Sequence, residues 1–126
     1  MQNTADLLEV QSLTGLLSEL RQSYERGNTT AFFSHFSPSY PEVDSLRQKV
    51  ESDLKAYPER HLSFTAQRIW IRGSDASISF RWEGDWTSSS SRSPLKENGT
   101  ALFRMTKSPE GKYLLAEIRG ENPFIR

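Results

Sequence analysis

The hydrophobic period of this chain changes once, at Pro58. Before it, large apolar residues recur at three- and four-residue steps; after it, they alternate. Helices and strands each carry one apolar face that must be buried against another layer. The expectation is a single α+β domain over residues 1–126. Three N-terminal helices should pack on a curved, mostly antiparallel sheet.

Leu13, Leu16, Leu17, Leu20 and Tyr24 share one face of a helix expected over 6–25. Leu7 and Val10 extend that stripe, Thr4 or Asp6 can cap it, and Gly27 suits the left-handed position after its end. Asn28 or Thr29 opens a short helix over 30–36 with Phe32, Phe33 and Phe36 on an aromatic face. Pro38 and Pro41 end it, because proline lacks a backbone donor and disfavours helix in the residue before it. A third helix over 44–56 has the narrow stripe Leu46, Val50 and Leu54, which places it on the surface.

Four strands are expected, over 62–72, 76–86, 99–107 and 113–119. Residues 108–111, Ser-Pro-Glu-Gly, are a strong hairpin signal between the last two. The second strand alternates most cleanly. Ile78, Phe80, Trp82 and Trp86 face one way; Ser77, Ser79, Arg81, Glu83 and Asp85 face the other. That pattern implies one buried and one wet face. Residues 87–98 are serine-rich and aperiodic and read as a long mobile loop.

Sixteen basic residues balance sixteen acidic ones, so no broad basic face for nucleic acid is expected. The absence of cysteine excludes disulfides, thiolate metal sites and cysteine nucleophiles. No run approaches the roughly 20 apolar residues of a membrane span. The first residues do not resemble a signal peptide. The compartment stays open: cytoplasmic, or periplasmic if the chain is a mature domain of a longer exported precursor. No metal-ligand spacing occurs, and no cofactor is expected.

Three stretches carry a resemblance: LLSELRQSYERGNTTAFFSHFSPSY, IRGSDASISFRWEGDW and GTALFRMTKSPEGKYLLAEIRGENPF. They resemble the two first helices, the central hairpin and the closing hairpin of the nuclear transport factor 2-like superfamily. This cystatin-like cone fold is shared by ketosteroid isomerases and SnoaL-like polyketide cyclases. The resemblance implies a cone with a pocket between helices and sheet. The superfamily hosts enzymes, binding modules and dimerisation domains, so fold leaves function open. Its enzymes usually place an acidic residue or an Asp–His pair on the cone strands. Here residues 37–41 contain no carboxylate, and His35 and His61 lie outside any Asp/His motif.

The candidate pocket lining is Tyr24, Phe36, Tyr40, Trp70, Phe80, Trp82 and Trp86, an aromatic wall for a flat apolar ligand. The competing reading is ordinary core filling. His35, Arg81, Glu83 and Arg104 are candidate polar groups of a pocket or an interface. Arg81, Glu83 and Asp85 could supply acid/base chemistry if desolvated, or could pair across strands with Arg104, Glu117 and Arg119. His35 could act as a general base, since histidine is the side chain suited to proton transfer near neutral pH, but a lone histidine on a short helix is more often a surface or hydrogen-bonded group. The serines at 88–91 lack the glycine-flanked elbow of a nucleophile.

The expected function is a non-enzymatic module that binds a small apolar molecule or a protein partner. It should pair as a homodimer through an outer sheet face carrying Arg81, Glu83, Arg104, Glu117 and Arg119 with Leu102, Tyr113 and Leu115. The alternatives are an isomerase- or cyclase-type enzyme acting on a small hydrophobic substrate in the cone, and an accessory domain of a larger cell-envelope or signalling protein.

Overall fold

The computed structural model describes residues 4–90 and 93–126, with side chains from Leu7 onward. The side chains of the expected Thr4 or Asp6 cap, and the Ser91–Arg92 part of the expected loop, lie outside what is described. The helices are α1 (Thr4–Glu25), α2 (Thr29–Ser34) and α3 (Val43–Ala56). The strands are β1 (Glu59–Arg72), β2 (Asp75–Thr87), β3 (Leu95–Lys107) and β4 (Tyr113–Gly120). They form one antiparallel sheet in the order β1-β2-β3-β4. Among the described residues, no helix is long and apolar enough to cross a membrane.

The apolar faces meet as their periods require. Leu13, Leu16, Leu17, Leu20 and Tyr24 of α1, Phe32 and Phe33 of α2, and Leu46 and Val50 of α3 are buried. They enclose Ile78, Phe80, Trp82 and Trp86 of β2 and Phe103 and Met105 of β3. Asn28 caps α2, its side-chain oxygen accepting from the Ala31 N–H at 3.1 Å. Arg60 is buried and closes the far end of α1. Its Nε donates to the Tyr24 carbonyl at 3.2 Å and its Nη2 to the Glu25 carbonyl at 2.9 Å. Its Nη1 reaches the Tyr57 carbonyl at 2.7 Å. Burial lowers this guanidinium below its ordinary range, opposed by the nearby Tyr24 and Glu25.

Several sequence expectations need correction. Leu7 is 50% exposed, not part of the buried stripe. Glu9 already meets Lys107 and Tyr113 at the end of the β3–β4 ladder, so Leu7 projects past the sheet. Phe36 leaves the helix and makes an isolated bridge with Leu115, which the prolines that follow favour. Residues 95–98 are strand, not loop. They add four rungs, Trp86 with Leu95 through Glu83 with Asn98. Backbone pairing needs no apolar period, and these four residues are exposed, so the alternation that marks other strands is missing there. Tyr113 and Leu115 are buried rather than on the outer face.

That last correction traces to a bulge. The register of β3 with β4 runs Met105–Leu115 and then Arg104–Glu117, leaving Ala116 extra. A second bulge at Gln67 divides β1: Arg68 pairs with Ser79, but Ala66 pairs with Phe80. Each bulge adds one residue to one strand and so exchanges the two faces beyond it. Such bulges also increase local twist, which bends the sheet around the helices.

Gly84 sits where the sheet closes over the indole of Trp86. A Cβ at residue 84 would collide with that ring and come within 3.0 Å of Leu62. Trp86 is fully buried and has nowhere to retreat. Gly84→Ala is expected to cost about 1–3 kcal/mol by overpacking. A urea midpoint equal to that of the parent protein would show that the ring can move aside.

Candidate functional site

Two regions of the molecule gather the candidate residues: the interior of the cone and the outer face of the sheet. The interior is built on β2. Its inward positions carry Phe80, Trp82 and Trp86, and α1 lays Tyr24 across them. Trp86 donates from Nε1 to the Tyr24 hydroxyl at 2.7 Å. Trp82 stands edge-on to Trp86, with ring centroids 6.2 Å apart at 89°. Burial raises the Tyr24 hydroxyl above its ordinary pKa, and the Trp86 hydrogen bond partly offsets this.

The segment after β4 enters this interior. Gly120 turns the chain at φ 85°, with room for a hydrogen only: a Cβ there would lie 2.9 Å from the Thr100 carbonyl. Glu121 then returns to β3, its N–H donating to Thr100 at 2.9 Å, while its carbonyl accepts from Trp82 Nε1 at 2.8 Å. The Asn122 side chain accepts from the Phe124 N–H at 2.9 Å and directs Phe124 inward. Phe124 is fully buried, 4.8 Å from Phe32, 5.1 Å from Tyr24, 5.8 Å from Phe103 and 6.2 Å from Phe64, between ring centroids. Arg126 lays its guanidinium 3.5 Å from the centre of Trp86 and 5.6 Å from that of Trp82. Its Nη1 pairs with Glu97, and its backbone N–H donates to Asp53 of α3 at 2.6 Å.

The seven aromatic candidates therefore divide. Tyr24, Phe80, Trp82 and Trp86 surround the inserted segment or touch its neighbours. Phe36 and Tyr40 pack together at 4.9 Å on the helix side. Tyr40 is half-buried, and burial with the charge of Glu117 holds its hydroxyl pKa up to about 12. Trp70 is 44% exposed and pairs with Ser77, on the opposite face from the rest. The Arg68 guanidinium lies over its ring, 5.6 Å from the centre. The sequence missed Phe124 and Arg126 as members of this group. The one signal was the apolar pair Phe124-Ile125 beyond the last strand, which has no period to read.

The polar candidates do not converge. His35 caps the end of α2, with Nε2 3.5 Å from Glu19 Oε2 and its carbonyl accepting from Leu115 at 2.8 Å. Arg104 pairs with Glu117 at 3.2 Å, and Arg119 reaches the same carboxylate oxygen at 3.2 Å. These two donors lower the Glu117 pKa, Arg119 most. Arg81 and Glu83 lie farther along the outer face, with Ser63 and Thr65, around a small cleft of about 160 Å³.

That cleft adjoins a larger one of about 430 Å³, which includes His61, Ser63, Glu83, Asp85, Lys96 and Asn98 in its lining. Register sets His61 directly opposite Asp85 and Ser63 opposite Glu83. The His61–Asp85 adjacency had no signal in the sequence. Counting rungs back from the turn at residues 73–74 places His61 opposite Trp86; the bulge at Gln67 moves it by one. Among the described residues, no group of three or more His, Asp or Glu could hold a metal ion.

No protein-family model matches the chain, and no curated protein matches it in sequence. Its fold has many solved counterparts. A nuclear transport factor 2-like superfamily protein from Salmonella enterica serovar Typhimurium is 16% identical, with TM-score 0.77 over 90% of this chain and 89% of that one. A conserved protein from Planctomyces limnophilus is 12% identical, with TM-score 0.81 over 90% and 98%. A putative scytalone dehydratase from Novosphingobium aromaticivorans is 10% identical, with TM-score 0.77 over 93% and 87%. At these identities the likeness is one of fold: an α+β cone of the nuclear transport factor 2-like kind.

Proposed function

We propose that this cone-fold chain is a non-catalytic interaction module that pairs with a second copy of itself across the outer face of its sheet. The observation that carries the reading is the contrast between the two faces of β2. Inward, the space a ligand would take is filled by Phe124 and Arg126. Outward, Arg81 and Glu83 are exposed and form no ion pair among the described residues. Beside them stand Thr65, Ser63, Thr100 and Asn98, then Leu102 and the Arg104–Glu117–Arg119 group.

A two-fold contact repeats every pairing twice. An arginine and a glutamate two residues apart on one strand suit such symmetry, since each Arg81 can meet the partner's carboxylate. Desolvating these groups against a partner strengthens the attraction that water screens in the free chain. A small apolar ligand inside the cone would first have to displace the buried Phe124.

An enzyme reading rests on His61, Asp85 and Glu83 in the larger cleft. General acid/base work normally needs a desolvated group. Here His61 and Glu83 are exposed and Asp85 is half-exposed. The binding reading therefore takes precedence.

Sedimentation equilibrium over micromolar concentrations is the test, with a dimer expected. Arg81→Glu should weaken the dimer by about tenfold or more while leaving the thermal transition of the subunit intact, as loss and inversion of an interfacial charge pair would require. A single species at monomer mass across the whole range would reject the reading. A dimer indifferent to Arg81→Glu would move the interface off this face.

A further inference from the structure

The geometry points to a binding site for a planar organic cation of the guanidinium class between Trp86, Trp82 and Glu97, with Arg126 as its resident occupant. The site is a box. Trp86 forms its floor, Trp82 a wall at right angles, and Glu97 supplies a negative charge at the rim. An aromatic face attracts a cation through its quadrupole, and the attraction grows when water is excluded. The Arg126 side chain is only 7% exposed, so water is largely absent.

Most of the box is positioned by groups other than its occupant. The Tyr24 hydroxyl fixes the Trp86 indole through Nε1, and Gly84 leaves the space that the ring occupies. Glu97 is set by its rung opposite Gly84. The floor thus does not depend on Arg126 being in place; the rung fixes the backbone of Glu97, and its carboxylate pairs with Arg126. Apart from Arg126 itself, Trp82 is tied to the inserted segment by its hydrogen bond to the Glu121 carbonyl.

The occupant is also an imperfect fit. Arg126 Nε is buried without a hydrogen-bond partner, the one such side-chain nitrogen or oxygen among the described residues. A buried donor left unpaired costs stability. A free cation able to shift within the box is not held to that position by a backbone, and can place its donors on Glu97. The site would accordingly take a guanidinium group presented by another molecule, such as an arginine side chain or a small alkylguanidine, when Arg126 is absent or displaced.

The test uses the full chain with one substitution, Arg126→Ala, and methylguanidinium chloride as the probe. Melting temperature and tryptophan fluorescence are followed at matched ionic strength. The variant should bind methylguanidinium saturably, with a dissociation constant in roughly the millimolar range expected of so few contact atoms. N-methylurea, flat and similar in size but neutral, should bind at least about tenfold more weakly, because it lacks the charge that the indole face and Glu97 attract. The parent protein, its box filled, should show no saturable response. Adding Glu97→Gln to the variant should weaken methylguanidinium binding. If Arg126→Ala fails to fold, Arg126→Gln keeps most of the stem without the charge, and the same titration decides. Absence of saturable binding, equal binding of the urea, or an equal response of the parent protein would each overturn the assignment.

Discussion

Replacing Phe124 with alanine is expected to destabilise the fold by about 3–5 kcal/mol, the range for removing a buried aromatic ring. The residue is fully buried and touches rings from α1, α2, β1 and β3. No neighbouring segment can collapse into the gap without moving one of those elements, so the cavity should persist. The loss should appear as a lower denaturant midpoint at an unchanged slope, since the extent of buried surface changes little. Chemical denaturation of the full chain measures it. A loss below about 1 kcal/mol would mean that the segment after β4 is not seated in solution as described, since full removal of such a ring costs more.

Truncating Phe80 to alanine should cost a similar amount, about 3–5 kcal/mol. Its ring lies 4.7 Å from Phe103, edge to face, and 4.8 Å from Phe64, and it is fully buried. The two substitutions should not be additive. Phe64 and Phe103 touch both rings, and residues that share neighbours in one cavity couple by about 0.5–3 kcal/mol. A Phe80→Ala loss below about 1 kcal/mol would place the wrong face of β2 inside, because a buried ring cannot be removed so cheaply. Full additivity in the double variant would show that the two rings occupy separate cavities.

These two residues differ in how they could have been found. Phe80 was legible from the strict alternation of β2, a strand without a bulge whose one face is buried by helices. Phe124 stands in a segment with no period, held by scattered hydrogen bonds to Thr100, Trp82 and Asp53 and by a turn in which its N–H donates to Asn122. Nothing local distinguishes such a residue from a loop apolar group left in water.

The same division holds for the site. The aromatic identity of the interior was legible, because Tyr24, Phe80, Trp82 and Trp86 fall on periodic faces. That the space among them is taken by Phe124 and Arg126 was not. The outer face was legible on β2 and, on β4, for the charged Glu117 and Arg119 but not for Tyr113 and Leu115. Tyr113, Leu115, Glu117 and Arg119 share one parity in the sequence, yet the bulge at Ala116 sends the first two inward and the last two outward. Likewise the bulge at Gln67 carries His61 to the same face as Asp85 and leaves Trp70 outside.

The sequence by itself determined the order of elements, the change from helix to strand at Pro58, the stripe of α1 and the buried face of β2. Those follow from local periodicity and from residues that start or stop helices, so each is set within a dozen neighbours. Only the tertiary structure decided which face each half of β1 and β4 presents, and what fills the cone. A bulge depends on how two strands far apart in the chain accommodate curvature around the helices. The path of the last six residues depends on a cavity that exists only once the sheet has closed.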